Sequence, residues 1–241
     1  MGRPVYSQER VEQGRRALCD AALQLYRDRG YSAVTLREIG AAAGVSSATP
    51  YRFFESKETL FSHVRATVYT HFGDFLRKAD PKSGDPLLRL RKIALAMIEF
   101  GLRYPADYRL IFSMRQPPVA VGSALYVARR RTLEHVVPIC QEIIDSGRFT
   151  GDARVHVHIA WTALHGLISF HVSNQLIHGC RLQDLVEPML DRLFAVEEPR
   201  VSRVAGRGVG VRKRRMSNSV SDRLECQPQR QPGKKQKRRA A

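Results

Sequence analysis

Apolar residues recur at steps of three and four along most of the chain, the spacing that places them on one face of a helix. Between residues 10 and 28 this pattern predicts a first helix, ended by Gly30, whose buried stripe comprises Ala17, Leu18, Ala21, Ala22 and Leu25. The pattern is strongest from residue 85 to residue 104, and no segment shows the sustained alternation typical of a half-buried strand. The sequence therefore predicts an all-α fold.

Helix start and stop signals divide this pattern into further elements. Asp85 caps the strong amphipathic helix and Pro86 takes its first position, after the turn-rich segment of residues 80–86. Pro138 falls inside a long helix and predicts a kink just before it. The other predicted helices span residues 56–78, a short segment from residue 105, and residues 124–145, 153–176 and 182–196.

Two short helices joined by a glycine turn are predicted between residues 35 and 57. Thr35 caps the first, and Glu38 reaches back to it in the T-x-x-E pattern of a capping box. Gly44 supplies the left-handed backbone of the turn. Ser46 is predicted to cap the second helix, before a first turn that contains Ser47, Ala48, Thr49 and Pro50. Proline is tolerated there because first-turn amides have no helical partner. This arrangement is a helix-turn-helix suited to the major groove.

With the start of the following helix, this stretch resembles the DNA-binding domain of the TetR family of transcriptional regulators. The resemblance covers about the first quarter of the chain and is carried by Ala43, Gly44, Val45, Ser46, Thr49, Tyr51, Phe54, Ser56, Lys57, Glu58 and Leu60. Two positions depart from the family pattern. Pro50 stands where the family usually has leucine, and Phe53 stands where a histidine or tyrosine often holds a phosphate, so one backbone contact is expected to be missing.

The resemblance implies a double-stranded DNA operator as the partner. The residues expected to contact it are Thr35, Ser46, Ser47, Ala48, Thr49, Tyr51, Arg52 and Lys57. Short side chains at the leading turn favour base reading by Ser47 and Thr49. The family places a phosphate-binding tyrosine in this helix and a lysine at the start of the next, which implies that Tyr51 and Lys57 take these roles. The alternative for Tyr51 is a ring packed on the first helix.

Residues 1–57 are thus expected to form a DNA-binding domain, and residues 58–198 a larger helical domain for ligand binding and dimerisation. The run that contains Trp161, His165 and Gly166 resembles the Trp-His-Gly motif of one subgroup of TetR-like regulators. The family resemblance implies a homodimer through the helices of residues 153–176 and 182–196. It also implies an unidentified small-molecule effector that releases a repressor from DNA. Activation, or regulation without an effector, is the alternative.

An effector cavity is predicted from aromatic and sulfur-containing side chains in the larger domain, because such side chains around a few polar groups suit a small apolar or aromatic ligand. The residues assigned to it are Met97, Phe100, Tyr108, Phe112, Trp161 and His165. For each the alternative is a place in the packed core, and His165 has the further alternative of stacking on Trp161. The helix of residues 57–78 is the expected lever, because it begins at the DNA contact and ends in the pocket domain.

Basic charge is concentrated at one end of the chain. The formal net charge of +17 divides into +5 for residues 1–198 and +12 for residues 199–241. The C-terminal segment has too little apolar content to offset the entropy of ordering, so it is predicted to be a disordered basic tail. Two roles stay open for it, namely non-specific attraction to DNA phosphates and a solvated appendage.

Signatures of catalysis and of metal binding are weak in this sequence. Five histidines lie in or beside the helix of residues 153–176, but within it they lack the spacing that a metal site requires. The sequence contains neither a Gly-rich phosphate loop nor a nucleophile elbow. No cofactor, no metal and no enzymatic activity are therefore expected. A helical metal-binding protein or enzyme is one competing class, and a DNA-compacting protein driven by the tail is another.

The remaining signals concern location. Four cysteines without C-x-x-C spacing predict reduced thiols. The N-terminal residues lack the apolar core of a signal peptide, and no apolar run approaches the roughly 20 residues that cross a bilayer. A soluble cytoplasmic protein with no membrane partner is expected.

Overall fold

The computed structural model describes residues 8–113, 118–177 and 179–195, and the regular elements within these ranges are helical. In chain order they are α1 (Gln8–Arg29), α2 (Leu36–Ala42), α3 (Pro50–Phe53), α4 (Lys57–Ala79), α5 (Pro86–Arg103), α6 (Pro105–Tyr108), a π-helix (Arg109–Ser113), α7 (Ala124–Asp145), α8 (Ala153–Val172) and α9 (Leu182–Leu193). The predicted all-α fold is confirmed. Within the described ranges, no helix combines the length and hydrophobicity needed to cross a bilayer.

Short-range signals fix the helix ends, as the sequence predicted. The hydroxyl of Ser56 caps α4 by accepting a hydrogen bond from the amide of Thr59 at 3.1 Å. Asp85 caps α5 through the amide of Leu87, and Pro86 occupies the first helical position. The bounds of α7 are also those predicted, with proline inside the helix.

The end of α8 differs from its prediction, which placed it at residue 176. Asn174 adopts a φ of +55°. Its amide donates to the carbonyl of His171 at 3.0 Å, and the amide of Gln175 donates to the carbonyl of Phe170 at 2.7 Å. These bonds close the helix at a left-handed residue, a conformation that asparagine tolerates better than most residues. Apolar residues continue beyond this point, so the prediction from their spacing made the helix too long.

The long helix α4 connects the two ends of the described fold. It packs against α1, α5 and α7. Its buried apolar residues lie on more than one side, as predicted, and include Leu60, Phe61, Val64, Val68, Phe72 and Leu76. Movement of α4 would therefore change the packing both near α2 and α3 and in the bundle formed by α5, α7 and α8.

Some predictions concern residues outside the described ranges. These residues are 1–7, 114–117, His178 and the segment from residue 196 onward. The predicted disorder of the N-terminal arm and of the basic tail consequently stays a prediction.

Candidate DNA-binding surface and effector cavity

The start of α2 is fixed by the predicted capping box. The amide of Glu38 donates to Oγ1 of Thr35 at 3.3 Å, and the amide of Thr35 donates to Oε2 of Glu38 at 2.8 Å. The hydrogen bonds that the hydroxyl group and the amide of Thr35 donate to Oε2 of Glu38 lower the pKa of the Glu38 carboxyl. The Thr35 hydroxyl also donates to Oε2 at 2.8 Å, so it is engaged within the box. After α2 the turn uses Gly44 with a φ of +69°, as predicted.

Helix α3 begins at Pro50, so the predicted start at Ser46 is wrong. A helix capped by Ser46 would have residue 50 as its fourth residue, whose amide must donate to the Ser46 carbonyl. Proline has no amide hydrogen. The Ser46 carbonyl instead accepts from the amide of Thr49 at 2.9 Å, and the hydroxyl oxygens of Ser46 and Thr49 lie 2.9 Å apart. Residues 46–49 therefore form a turn that leads into a short helix.

Two close contacts with glycine position α3 against its neighbours. A Cβ atom at Gly40 of α2 would lie 3.1 Å from Cγ of Pro50, and one at Gly14 of α1 would lie 3.0 Å from Cζ of Phe53. The carbonyl of Phe53 also accepts a hydrogen bond from Nη2 of Arg15 at 3.3 Å. The two residues that depart from the TetR pattern are thus the ones that dock α3 onto α1 and α2.

Six of the residues predicted to contact DNA, including the proposed base readers Ser47 and Thr49, lie at the exposed tip formed by residues 46–52. Tyr51 is 57% exposed, Thr49 is half-buried, and the others are exposed, namely Ser46, Ser47, Ala48 and Arg52. At this exposure the ring of Tyr51 is not packed into the core, so that alternative does not hold. The tip brings hydroxyl groups, a methyl group and a guanidinium group onto one accessible surface.

Lys57 begins α4, but its ammonium group is engaged within the protein. Nζ donates to the carbonyl of Tyr31 and lies 4.0 Å from the centroid of the Tyr31 ring. Burial lowers the pKa of Lys57. The Tyr31 hydroxyl donates to Oε2 of Glu58 at 2.8 Å, and Oε1 of Glu58 pairs with the buried Arg65 at 2.5 Å. A phosphate contact by Lys57 therefore requires its ammonium group to leave the Tyr31 carbonyl.

Four of the six predicted effector residues belong to an aromatic cluster, which comprises Phe72, Phe100, Tyr108, Phe112 and His165. The Tyr108 hydroxyl lies 2.9 Å from Nδ1 of His165, and their rings stack at 27°. The hydroxyl of Ser169 lies 3.3 Å from Nε2 of His165, so both imidazole nitrogens have partners. Burial lowers the pKa of His165 and raises that of Tyr108, which favours the neutral form of each. His165 stacks on Tyr108, so the alternative of stacking on Trp161 does not hold.

An apolar cavity lies between α4, α5, α7, α8 and α9, with a free volume of about 50 Å³. Met97 and Trp161 are the predicted effector residues that line it. Trp161 also contacts the aromatic cluster through Phe72 and Phe112, with ring centroids 6.0 Å apart in each pair. The other lining side chains are aliphatic or phenyl groups, apart from those of Cys140 and His156.

Two buried aspartates were missed by the sequence analysis. Asp107 accepts two hydrogen bonds from Arg27 of α1, at 2.8 and 2.7 Å, and Asp80 accepts two from Arg89, at 2.9 and 3.1 Å. The sequence shows only that each aspartate lies next to an apolar stretch, and this pattern does not identify the arginine that pairs with it. In the described ranges, no three His, Cys, Asp or Glu side chains are grouped so as to hold a metal ion.

The capped α2, the Gly44 turn and the exposed tip before α3 define this chain as a helix-turn-helix protein. A family model of bacterial regulatory proteins of the tetR family matches residues 18–64, and a model of the tetracyclin repressor-like C-terminal domain matches residues 90–193. The chain belongs to the TetR family of bacterial regulatory proteins.

Individual relatives match part of the chain. The regulator BetI of Rhizobium meliloti is 52% identical over 120 residues, which cover 48% of this chain and 59% of BetI. The transcriptional activator FasR of Mycolicibacterium smegmatis is 33% identical over 112 residues, which cover 45% of this chain and 51% of FasR. The chain spans about half the length of the curated relatives it matches.

The fold is also similar to that of solved structures. FadR of Bacillus subtilis, in complex with stearoyl-CoA, superposes with a TM-score of 0.60 at 17% identity, covering 75% of this chain and 97% of FadR. At this identity the likeness concerns the fold alone.

Proposed function

We propose that this protein is a homodimeric repressor that binds a pseudo-palindromic DNA operator and is released by a small-molecule effector. The observation that carries the proposal is the exposed tip before α3, where small and polar side chains lie together on a docked helix-turn-helix. Short side chains allow the backbone to approach base edges closely in the major groove. Base reading is assigned to Ser47 and Thr49, and phosphate contacts to Tyr51 and Lys57. Arg52 is assigned to a phosphate or a guanine.

The dimer is supported by an apolar stripe on the outer face of α8. Val155 and Ile159 are each 55% exposed, and Phe170 is 54% exposed. Their spacing along the helix places these three residues on one face, together with Gly166. A Cβ atom at Gly166 would have no neighbouring atom within 4 Å. Burying this stripe against a second copy, together with α9, would remove apolar surface from water. Two copies on a two-fold axis would read half-sites roughly 34 to 36 Å apart.

Release by an effector is supported by the course of α4. The helix starts beside α3, and Leu76 near its other end lines the apolar cavity. A ligand shifts such a helix only by preferring one of its positions over another. FadR, which shares the fold, binds stearoyl-CoA, and this supports a small molecule as the class of effector.

The experiment that tests the proposal is selection of bound duplexes from a random pool at physiological salt. A palindromic consensus is the expected result, and it would establish sequence-specific binding and dimer stoichiometry together. Binding without sequence preference would refute the proposal and favour the DNA-compacting alternative.

Activation is the second candidate function, and the similarity to the activator FasR favours it. Transcription in vitro from a promoter that carries the selected operator separates the two. Lower transcript yield on adding protein supports repression, whereas higher yield supports activation.

The proposal assigns residues 1–57 to DNA binding and residues 58–198 to ligand binding and dimerisation, with residues 199–241 as a basic tail. Membership of the Trp-His-Gly subgroup, through Trp161, His165 and Gly166, is part of the proposal. For the tail, deletion of residues 199–241 should reduce affinity for random DNA if it attracts phosphates, and should leave that affinity unchanged if it is a solvated appendage.

A further inference from the structure

The lining of the apolar cavity indicates the chemical class of its ligand. We propose that the cavity takes an uncharged molecule with an alkyl or aryl body, and that Leu193 and Phe194 at the end of α9 are displaced when it enters. This inference rests on the effector role proposed above, and it names the ligand class for that role.

The cavity lining carries no charged side chain that could pair with a charged ligand. All residues that line the cavity are among those the structure describes, and none of them is Asp, Glu, Lys or Arg. Burial raises the pKa of the Cys140 thiol, which therefore stays protonated. The His156 ring stacks on Phe149 at 15°, and its Nε2 lies 2.6 Å from the carbonyl oxygen of Thr150. A carboxylate, phosphate or ammonium group would lose its hydration here without gaining a counter-charge, which is strongly unfavourable.

The cavity is smaller than the ligands of this class. The free volume of about 50 Å³ is well below the roughly 150 Å³ of an apolar cavity that accepts benzene, so a ligand must displace part of the wall. The wall formed by α5 is firmly packed, since Ile93, Ala94 and Met97 are each at most 5% exposed. Leu193 and Phe194 are half-buried, as Val136 of α7 also is, and they differ from Val136 in lying where their helix ends.

The attachment of α9 to α5 also favours movement on this side. Arg91 pairs with Glu187 and with Asp191, the latter at 2.9 Å, and both acidic side chains are exposed. Ion pairs of this kind contribute little to stability because water screens them. The end of α9 is therefore the wall that yields at lowest cost.

Trp161 provides the measurement, because it lines the cavity and is the sole tryptophan of the chain. The full-length protein, without DNA, is titrated with 1-octanol, octanoate and octyltrimethylammonium, which share one alkyl length and differ in charge. Saturable change in Trp161 fluorescence with octanol is expected, with at least about tenfold weaker binding of both ions. Equal binding of either ion, or no saturable binding of octanol, would overturn the proposal.

Substitutions at and beside the cavity lining test where octanol binds. Ala160→Phe fills the cavity and should abolish octanol binding, whereas Ala163→Phe, on the same helix but outside the lining, should retain it. Val136→Lys places an ammonium group on a half-buried wall position and should shift the preference toward octanoate, with Val137→Lys as its control. Octanol binding that survives in Ala160→Phe would place the ligand elsewhere. Should these variants misfold by circular dichroism, the probe series on the unaltered protein decides the question of charge.

The displaced wall has its own test. Phe194→Ala should raise the association rate of octanol by about threefold or more, whereas Leu182→Ala at the opposite end of α9 should not change it. Equal rates in both variants would overturn the entry route.

Operator binding is measured separately. If the protein binds octanol but stays bound to its operator, the effector role is refuted. If it binds its operator but does not bind octanol, the proposed ligand class is refuted.

Discussion

Arg27 of α1 donates from Nε and Nη2 to the two carboxylate oxygens of Asp107, at 2.8 and 2.7 Å. The side chain of Asp107 is 2% exposed, whereas that of Arg27 is 39% exposed. Asp107 directly precedes Tyr108, whose hydroxyl meets His165 of α8. This pair therefore joins the helix that supports α3 to the segment that contacts α8.

Replacing Arg27 should destabilise the fold. Arg27→Met leaves the Asp107 carboxylate buried without its partner, and we expect a loss of about 2 kcal/mol in the free energy of unfolding, less than for a fully buried pair because Arg27 reaches solvent. Urea denaturation measures it. Arg29→Met is the matched control, since Arg29 pairs with Glu38 at the surface and its replacement should destabilise the fold less than that of Arg27. Equal losses in the two variants would contradict a special role for the Arg27 pair.

The stability of the protein should fall in acid because of Asp80. The hydrogen bonds from Arg89 hold the pKa of the Asp80 carboxyl well below its usual range, and the Lys82 amide adds another at 2.9 Å. Since the folded pKa lies below the unfolded one, the ionised group stabilises the fold above the unfolded pKa of about 4. That stabilisation is lost as the pH falls through the unfolded pKa toward the folded one. The free energy of unfolding should thus decline below about pH 5.

Arg89→Met removes the cause of this shift. The variant should be less stable by about 3 kcal/mol near pH 7 and should show a shallower decline in acid. Arg148→Met, which breaks the more exposed pair with Asp85, should keep most of the decline. Urea denaturation at a series of pH values provides the comparison. Parallel curves for wild type and Arg89→Met would show that Asp80 does not contribute to the acid sensitivity.

Thr49 is expected to read a base. Thr49→Ala should change the preference at one position of each half-site by roughly 1 to 3 kcal/mol, as measured by duplex selection. Thr67→Ala, an exposed threonine on α4, is the control and should leave the consensus unaltered. A uniform loss of affinity with an intact consensus would assign Thr49 to the DNA backbone.

Pro50 is expected to determine the shape of the reading tip. Pro50→Leu restores the amide that can bond to the Ser46 carbonyl, so α3 should extend by about one turn toward Ser46. Because Ser47 and Ala48 would then change direction, the selected consensus should change at more than one position. Pro86→Leu, at the first position of α5, is the control. An unaltered consensus in Pro50→Leu would show that the length of α3 does not determine which bases are selected.

Lys57 has a role within the protein that competes with its proposed role on DNA. If its ammonium group transfers from the Tyr31 carbonyl to a phosphate, Lys57→Ala should weaken binding about equally on operator and random DNA. The slope of log affinity against log salt should fall by about one. Lys78→Ala, near the other end of α4, should leave the slope unaltered. A lower melting temperature with an unchanged slope would restrict Lys57 to its structural role.

Local rules predicted most helix ends, because a cap such as Thr35 or Asp85 is satisfied by residues within four positions. The start of α3 was missed for an equally local reason, the absent amide of Pro50. The partner of Asp107 could not be inferred, since Arg27 lies 80 residues earlier in the sequence. Helical spacing places Met97 and Phe100 alike on the inner side of α5, but it does not separate a cavity wall from a packed core.

The contact between Gly40 and Pro50 restricts which residues can occur together at positions 40 and 50. A side chain at position 40 would meet the Pro50 ring at 3.1 Å and the Ser46 carbonyl oxygen at 3.2 Å. Replacing Pro50 first removes one obstacle and lets the Ser46 carbonyl turn into a helix. Replacing Gly40 first meets both obstacles at once. Related chains in which position 40 carries alanine or a larger residue should therefore carry a residue other than proline at position 50.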